Sequence, residues 1–416
     1  MKIYTLQAQP NARGGEQQIP PLAPGVSTAR FGKEVLLYSD EPQEQQPAAS
    51  ASRGARMPRR HEEVTKDRMH IVVQNGRLFQ QHHPDVPVIH DRGRFLLVNI
   101  DQEQARKLTH KNETCFGIFP LVDNQVVFDS RAPVAQRAPV EVIQNLVNKV
   151  RRTSIESNLA KLVSFPTRHS TSDGYGGAAT FARKQLKGLN YLTCLQVVTV
   201  GAGKSRNVIA DKPGEGSGTR NVVIASAHLD SINLQGGPSA PAPGADDNGS
   251  GSAGLLEIAR VFGDQRSKHD LRLILFGGEE QGLFGSKRYV ASLPQSERKR
   301  IRAVVNMDMI GSLNSASRSV LLEGAPLSQT VIDGLAQAAA TYTQLPVETS
   351  LNPFASDHVP FINARIPAVL TIEGADNANN RIHSANDTLD KIDYEIAQEI
   401  LRMNIGFIAS EIGSIP

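Results

Sequence analysis

From residue 195 onwards, short apolar runs alternate with amphipathic stretches. The runs 195–200, 207–210, 222–227, 271–276, 303–306, 320–322 and 368–372 read as strands, and the segments 252–262, 283–293, 327–342 and 394–412 as helices. Strands that are apolar along nearly their whole length are buried on both faces, which is the habit of parallel sheets. Their alternation with helices predicts an α/β fold, a mostly parallel central sheet with helices on both faces. Such a sheet binds its ligands outside the carboxyl ends of its strands. The residues that follow each run are therefore where chemistry is expected.

The rest of the 416-residue chain is different in kind. Residues 1–65 are rich in Pro, Gln, Ala, Ser and Arg, with one candidate strand at 34–38. This composition predicts an extended or disordered arm. Residues 66–130 hold strand-like runs at 70–73, 95–100, 115–121 and 125–128 and a short helix from Asp101, which suits a small α+β module. Because it is compact and precedes a proline-containing linker, this module is expected to act as a propeptide-like cap. Residues 140–416 form the third and largest part.

Metal chemistry collects at the strand ends. The run 222–227 ends in His228 and Asp230, and a Gly/Pro/Ser/Ala loop then leads to Gly244-Ala245-Asp246-Asp247-Asn248-Gly249. The run 271–276 ends in Gly277-Gly278-Glu279-Glu280, and 303–306 in Met307-Asp308-Met309. His383 stands in a polar loop before the last helix. Imidazole and carboxylate are the ligands that zinc takes where cysteine is not used. The two cysteines, Cys115 and Cys194, are too few and too far apart for a thiolate site, and spacing does not decide whether they pair. The net charge of +3 is spread along the chain and gives no argument for nucleic acid. No apolar run reaches the ~18 residues of a membrane span. The first residues lack the apolar core of a secretory signal, so the compartment stays open.

Together these residues resemble the co-catalytic di-zinc aminopeptidase family, zinc exopeptidases that include secreted bacterial leucine aminopeptidases. The resemblance rests on His228-Leu-Asp230-Ser231, Pro243-Gly244-Ala245-Asp246-Asp247-Asn248, Gly278-Glu279-Glu280-x-Gly282-Leu283-x-Gly285-Ser286, Asn306-Met307-Asp308-Met309, Ser356-Asp357-His358 and Arg381-Ile382-His383-Ser384. It covers roughly residues 154–412.

The resemblance implies two zinc ions per chain and peptide substrates with a free N-terminus. Asp246 would bridge the ions, with His228 and Asp308 on one and Glu280 and His383 on the other. Each ion would then keep a position for water, at the ~3.5–4 Å metal spacing of two-metal hydrolases. The family's cis peptide would join Asp246 to Asp247. Asp230 would accept the free ring N–H of His228, and Asp247 would stand beside the ligands in a supporting place. Glu279 is expected to be the general base and Met309 a wall of the side-chain pocket. Several family members carry Tyr just before the last His ligand; Ile382 departs from that and removes one source of help for the oxyanion. A carboxypeptidase or a glutaminyl cyclase on the same fold is the alternative, as is a binding protein on an inactive peptidase fold, which the complete ligand set opposes. Oligomeric state and side-chain preference are not legible.

Two other patterns fail on inspection. Gly203-Lys204-Ser205 ends like a phosphate loop, but Val198 stands where its first glycine is required. The glycine-rich run 249–254 has no serine flanked as a nucleophile elbow demands. The break at Thr167-Arg168-His169 presents three polar side chains with no assigned task.

Overall fold

The computed structural model describes residues 2–7, 24–39, 59–60, 64–109, 116–131 and 134–415. Cys115 lies outside the described residues. The chain divides into two compact units: residues 1–133 with Glu348–Phe354, and residues 134–347 with 355–416.

In the larger unit the predicted strands form. They are β1 (Leu192–Val200), β2 (Gly203–Lys212), β3 (Val222–His228), β4 (Asp270–Phe276), β5 (Ile301–Met307), β6 (Val320–Glu323) and β7 (Ala368–Glu373). Their order is β1-β2-β4-β3-β5-β7-β6. The central four, β4-β3-β5-β7, are parallel. The edges are not: β1 and β2 pair antiparallel, β2 runs antiparallel to β4, and β6 runs antiparallel to β7. The sheet is therefore mixed, and the expectation of parallel strands holds for its centre alone.

The two-residue side-chain period of a strand divides the core. Val223, Ala225 and Ala227 of β3 and Leu271, Leu273 and Leu275 of β4 pack on one face. That face is covered by helices α1 (Arg152–Val163), α2 (Asp173–Gly188), α3 (Gly251–Phe262), α5 (Gln329–Tyr342) and α7 (Tyr394–Glu411), with α4 (Phe284–Ser292) and α6 (His358–Asn363) on the other. Val222, Ile224, Ile274 and Phe276 meet Tyr289 of α4 and Phe361 of α6 there. Both faces are thus covered. No helix among the described residues is long and apolar enough to cross a membrane.

In the smaller unit, strand–helix–strand–strand–helix–strand order builds a four-stranded antiparallel sheet. Its strands are Val88–Arg92, Phe95–Asn99, Met69–Gln74 and Phe116–Pro120 in spatial order, and the helices are Leu78–His82 and Gln102–Thr109. Val72, Phe79, Leu96, Val98, Ala105 and Ile118 form its core. Of the arm expected at 1–65, residues 1, 8–23, 40–58 and 61–63 lie outside the described residues, and most of the described remainder forms strands. Lys2–Gln7 and Ser27–Phe31 flank Glu34–Ser39 in an antiparallel sheet, and Gln125–Ser130 runs parallel to Ser27–Phe31. Ala29, Phe31, Val35 and Leu36 are buried there, so a few apolar positions suffice where the paired strand is supplied from outside the segment.

Candidate metal centre

Parallel register brings the strand ends together. His228 of β3 stands opposite Phe276 of β4, and Ser226 opposite Asn306 of β5. The residues just beyond these strands therefore share one edge of the sheet. His228 Nε2 lies 3.1 Å from Asp308 Oδ1 and 3.2 Å from Asp247 Oδ1. His383 Nε2 lies 3.0 Å from Asp247 Oδ2 and 3.0 Å from Glu280 Oε2. Two groups result, His228–Asp247–Asp308 and Asp247–Glu280–His383, each with its ligand atoms within 4.8 Å of one another. Asp247 belongs to both, with one carboxylate oxygen toward each histidine.

The expected bridging residue is thus corrected by one position. Asp246 is buried but faces away. Its Oδ1 accepts the Gly311 N–H at 2.9 Å and its Oδ2 the Asn379 amide at 2.7 Å. The cis peptide moves with it and joins Asp247 to Asn248. Successive residues of the turn Ala245–Ser250 direct their side chains to different sides, so only one of the two aspartates can meet the histidines.

The turn is held by residues that spacing alone does not reveal. Asp387 accepts the N–H groups of Asp246 and Asp247, both at 2.9 Å. Asn248 accepts from Gly251 N–H and donates to the Met307 carbonyl, which ties the turn to the end of β5. Substituting Asp387 by Ala strands two buried donors, each costing about 1–3 kcal/mol when unsatisfied. Asp387→Ala should therefore unfold at clearly lower denaturant than wild type, and urea titration followed by circular dichroism checks it. A polar loop residue four positions past His383 was the available signal.

Glu279 and Glu280 follow β4 through Gly277-Gly278. Gly278 has φ +81, and a Cβ at Gly277 would lie 2.1 Å from the Tyr175 hydroxyl, so this turn needs its glycines. Asp230 accepts the N–H groups of Glu279 and Glu280 at 3.4 and 3.2 Å. Its carboxylate lies 3.7 Å from His228 Nδ1, whereas its main-chain carbonyl lies at 3.2 Å. The ring N–H of His228 therefore points at the carbonyl of Asp230 and not chiefly at the expected carboxylate. Either partner engages Nδ1 and turns Nε2 toward Asp247 and Asp308. Asp308 is itself oriented by the Ser356 hydroxyl at 2.6 Å, which accepts from the Asn306 amide at 2.9 Å. Met309 is buried, its N–H donating to Asn248 Oδ1 and its carbonyl accepting from Glu373 N–H.

The electrostatics are those of crowded acids away from water. Burial pushes Glu279 well above the usual carboxylate range; His228 opposes, and Asp308, Glu280 and Asp357 add to the rise. Burial likewise lifts Glu280 to about 7 against the pull of His383. Asp247 goes the other way. Burial would raise it, but hydrogen bonds from His228 and His383 prevail and hold it below the ordinary range. For His228 burial disfavours the charge, but Asp308 and Glu279 outweigh that and raise its pKa.

Residues 207–408 match the model of peptidase family M28. Leupeptin-inactivating enzyme 1 of Streptomyces exfoliatus is 31% identical over 259 residues, which cover 60% of this chain and 56% of that protein. A probable leucine aminopeptidase of Trichophyton verrucosum is 27% identical over 331 residues, 76% of this chain and 88% of that one. The fold is that of the Legionella pneumophila LapA aminopeptidase, with a TM-score of 0.60 at 19% identity over 84% of this chain and 99% of that chain. Porphyromonas gingivalis glutaminyl cyclase shares the fold at a TM-score of 0.53 and 20% identity, over 63% and 99%. Every strand-end motif, from His228 to His383, lies inside the span that matches the model of peptidase family M28.

Proposed function

We propose that the protein is an aminopeptidase whose site holds two zinc ions bridged by Asp247. The observation that carries this reading is the carboxylate of Asp247 with one oxygen toward each of two histidines. The donor set fits zinc. Each group offers one imidazole and two carboxylates, three ligands that leave a further position open. Glu280 Oε1 is buried without a hydrogen-bond partner, a condition that a cation would relieve. His228 and Asp308 would hold one ion, Glu280 and His383 the other.

A zinc pair supplies Lewis-acid polarisation of the scissile carbonyl and lowers the pKa of water toward ~7. The remaining chemistry belongs to the chain. Glu279, beside Glu280 on a turn that sends them different ways, takes a proton from the attacking water and gives it to the departing amine. The free α-amino group of the substrate is positive and is held by the same crowded carboxylates. That accounts for attack at the N-terminus. A buried, partnered charge is worth about 2–5 kcal/mol when its partner is removed, so blocking the amine costs the enzyme much of its rate.

The test is hydrolysis of leucine anilide against its N-acetylated form, before and after chelation. Free substrate should turn over at least roughly 30-fold faster, given tenfold per 1.36 kcal/mol, and the activity should vanish with chelator and return with zinc. Equal turnover of the acetylated substrate, or activity indifferent to chelation, contradicts the reading. Cyclisation of N-terminal glutamine without anilide hydrolysis replaces it with a glutaminyl cyclase.

A further inference from the structure

Among the described residues the largest fully buried side chain is a cation, Arg168, with none of its surface exposed. A buried charge is costly unless it is paired and hydrogen-bonded, and its partners here are unusual. None is a carboxylate. Nε donates to the Leu229 carbonyl at 2.9 Å, Nη1 to Leu162 at 3.3 Å and Pro243 at 2.5 Å, and Nη2 to Gly244 at 2.8 Å. The main-chain N–H of Arg168 donates to Ser231 Oγ at 3.2 Å, and its carbonyl accepts from Ser231 N–H.

These carbonyls belong to segments that carry the metal centre. Leu229 follows His228. Pro243 and Gly244 end the Gly/Pro-rich loop and open the turn that bears Asp247. Leu162 lies in the last turn of α1, the negative end of its dipole. The Gly244 carbonyl also accepts from Gly249 N–H at 2.9 Å, so the guanidinium fastens the turn where it closes on itself. The contact is tight. Gly244 has φ +53, and a Cβ there would lie 3.0 Å from Nη2 and 2.5 Å from the Asp247 carbonyl. The loop between Ser231 and Pro243 has no packed element to set the distance between its ends. The Ser231 hydroxyl ties those ends directly, donating to the Ala242 carbonyl at 2.8 Å, and the rigid fork of the guanidinium adds ties to both sides of the loop, while Asp387 holds the same turn from its amide side.

We infer that Arg168 is a positioning residue that sets the placement of Asp247 relative to His228, through a clamp on main-chain carbonyls, and thereby sets zinc affinity. The inference rests on the two-zinc reading of the site. Lysine keeps the charge but cannot reproduce the fork, and methionine keeps bulk alone.

The test measures zinc dissociation constants by chelator competition for wild type, Arg168→Lys, Arg168→Met and a control, Leu186→Ala, which removes a buried side chain of α2. Arg168→Met should bind zinc at least roughly tenfold more weakly, the scale on which supporting partners of metal ligands act. Arg168→Lys should fall between it and wild type. Leu186→Ala should lose thermal stability and keep wild-type affinity. If Arg168→Met does not fold, Arg168→Lys decides. Wild-type affinity in Arg168→Lys, or in a folded Arg168→Met, overturns the clamp, as does an equal loss in Leu186→Ala. Failure of wild type itself to bind zinc overturns the metal reading instead, so the two failures are distinguishable.

Discussion

Glu279→Gln is expected to keep its zinc and lose nearly all activity. Glutamine has the size and shape of glutamate but cannot accept a proton at neutral pH. Glu279 is 9% exposed, and its carboxyl feels His228, Asp308 and Glu280 without being a member of either group. General-base catalysis contributes typically 10²–10⁴-fold, and kcat should fall by about that factor with KM little changed. Metal content and the unfolding midpoint should stay at wild-type values. Retained activity would remove Glu279 from this role, and lost zinc would make it a ligand.

Asp247→Asn is expected to be the most damaging substitution for metal binding. The residue contributes to both groups, so the change weakens both at once and leaves His228 and His383 without their common partner. Supporting residues around a metal cost about 10–100-fold in affinity when altered, and a ligand shared by two ions should exceed that range. Asp246→Asn should stay within it, because the Asp246 carboxylate accepts from Gly311 N–H and from Asn379 and faces no histidine. An amide oxygen can replace one of those acceptors.

Much of this site was legible in the chain because parallel strands put their carboxyl ends side by side. His228, Glu279, Glu280 and Asp308 each stand within four residues of the end of an apolar run. The aspartate that faces both histidines was read one position early. Asp246 and Asp247 are the same residue type on a turn with no periodicity, so nothing local says which one faces the histidines. The choice is made by groups far along the chain: Asp387 on the amides, and Gly311 and Asn379 on the Asp246 carboxylate. Arg168 was visible as part of a polar break, but its partners are main-chain carbonyls, which carry no residue signature.

The sheet shows the same division. The central strands are parallel as their apolar runs suggest. The β1–β2 hairpin had a signal that outweighs apolar content, since only Gly201 and Ala202 separate the two strands, whereas a parallel crossover needs a dozen residues or more. No comparable signal marks β6 against β7, because the long intervening chain permits either direction. In the N-terminal segment, strand formation depends on pairing with Gln125–Ser130, a partner that composition does not announce.

The two-zinc account stands or falls on which aspartate is shared. Zinc bound per chain, measured by elemental analysis after dialysis at matched free zinc, tests it in wild type, Asp246→Asn and Asp247→Asn. The account predicts two ions in wild type, two in Asp246→Asn and fewer than one in Asp247→Asn. Two ions retained in Asp247→Asn, or their loss in Asp246→Asn alone, would contradict it.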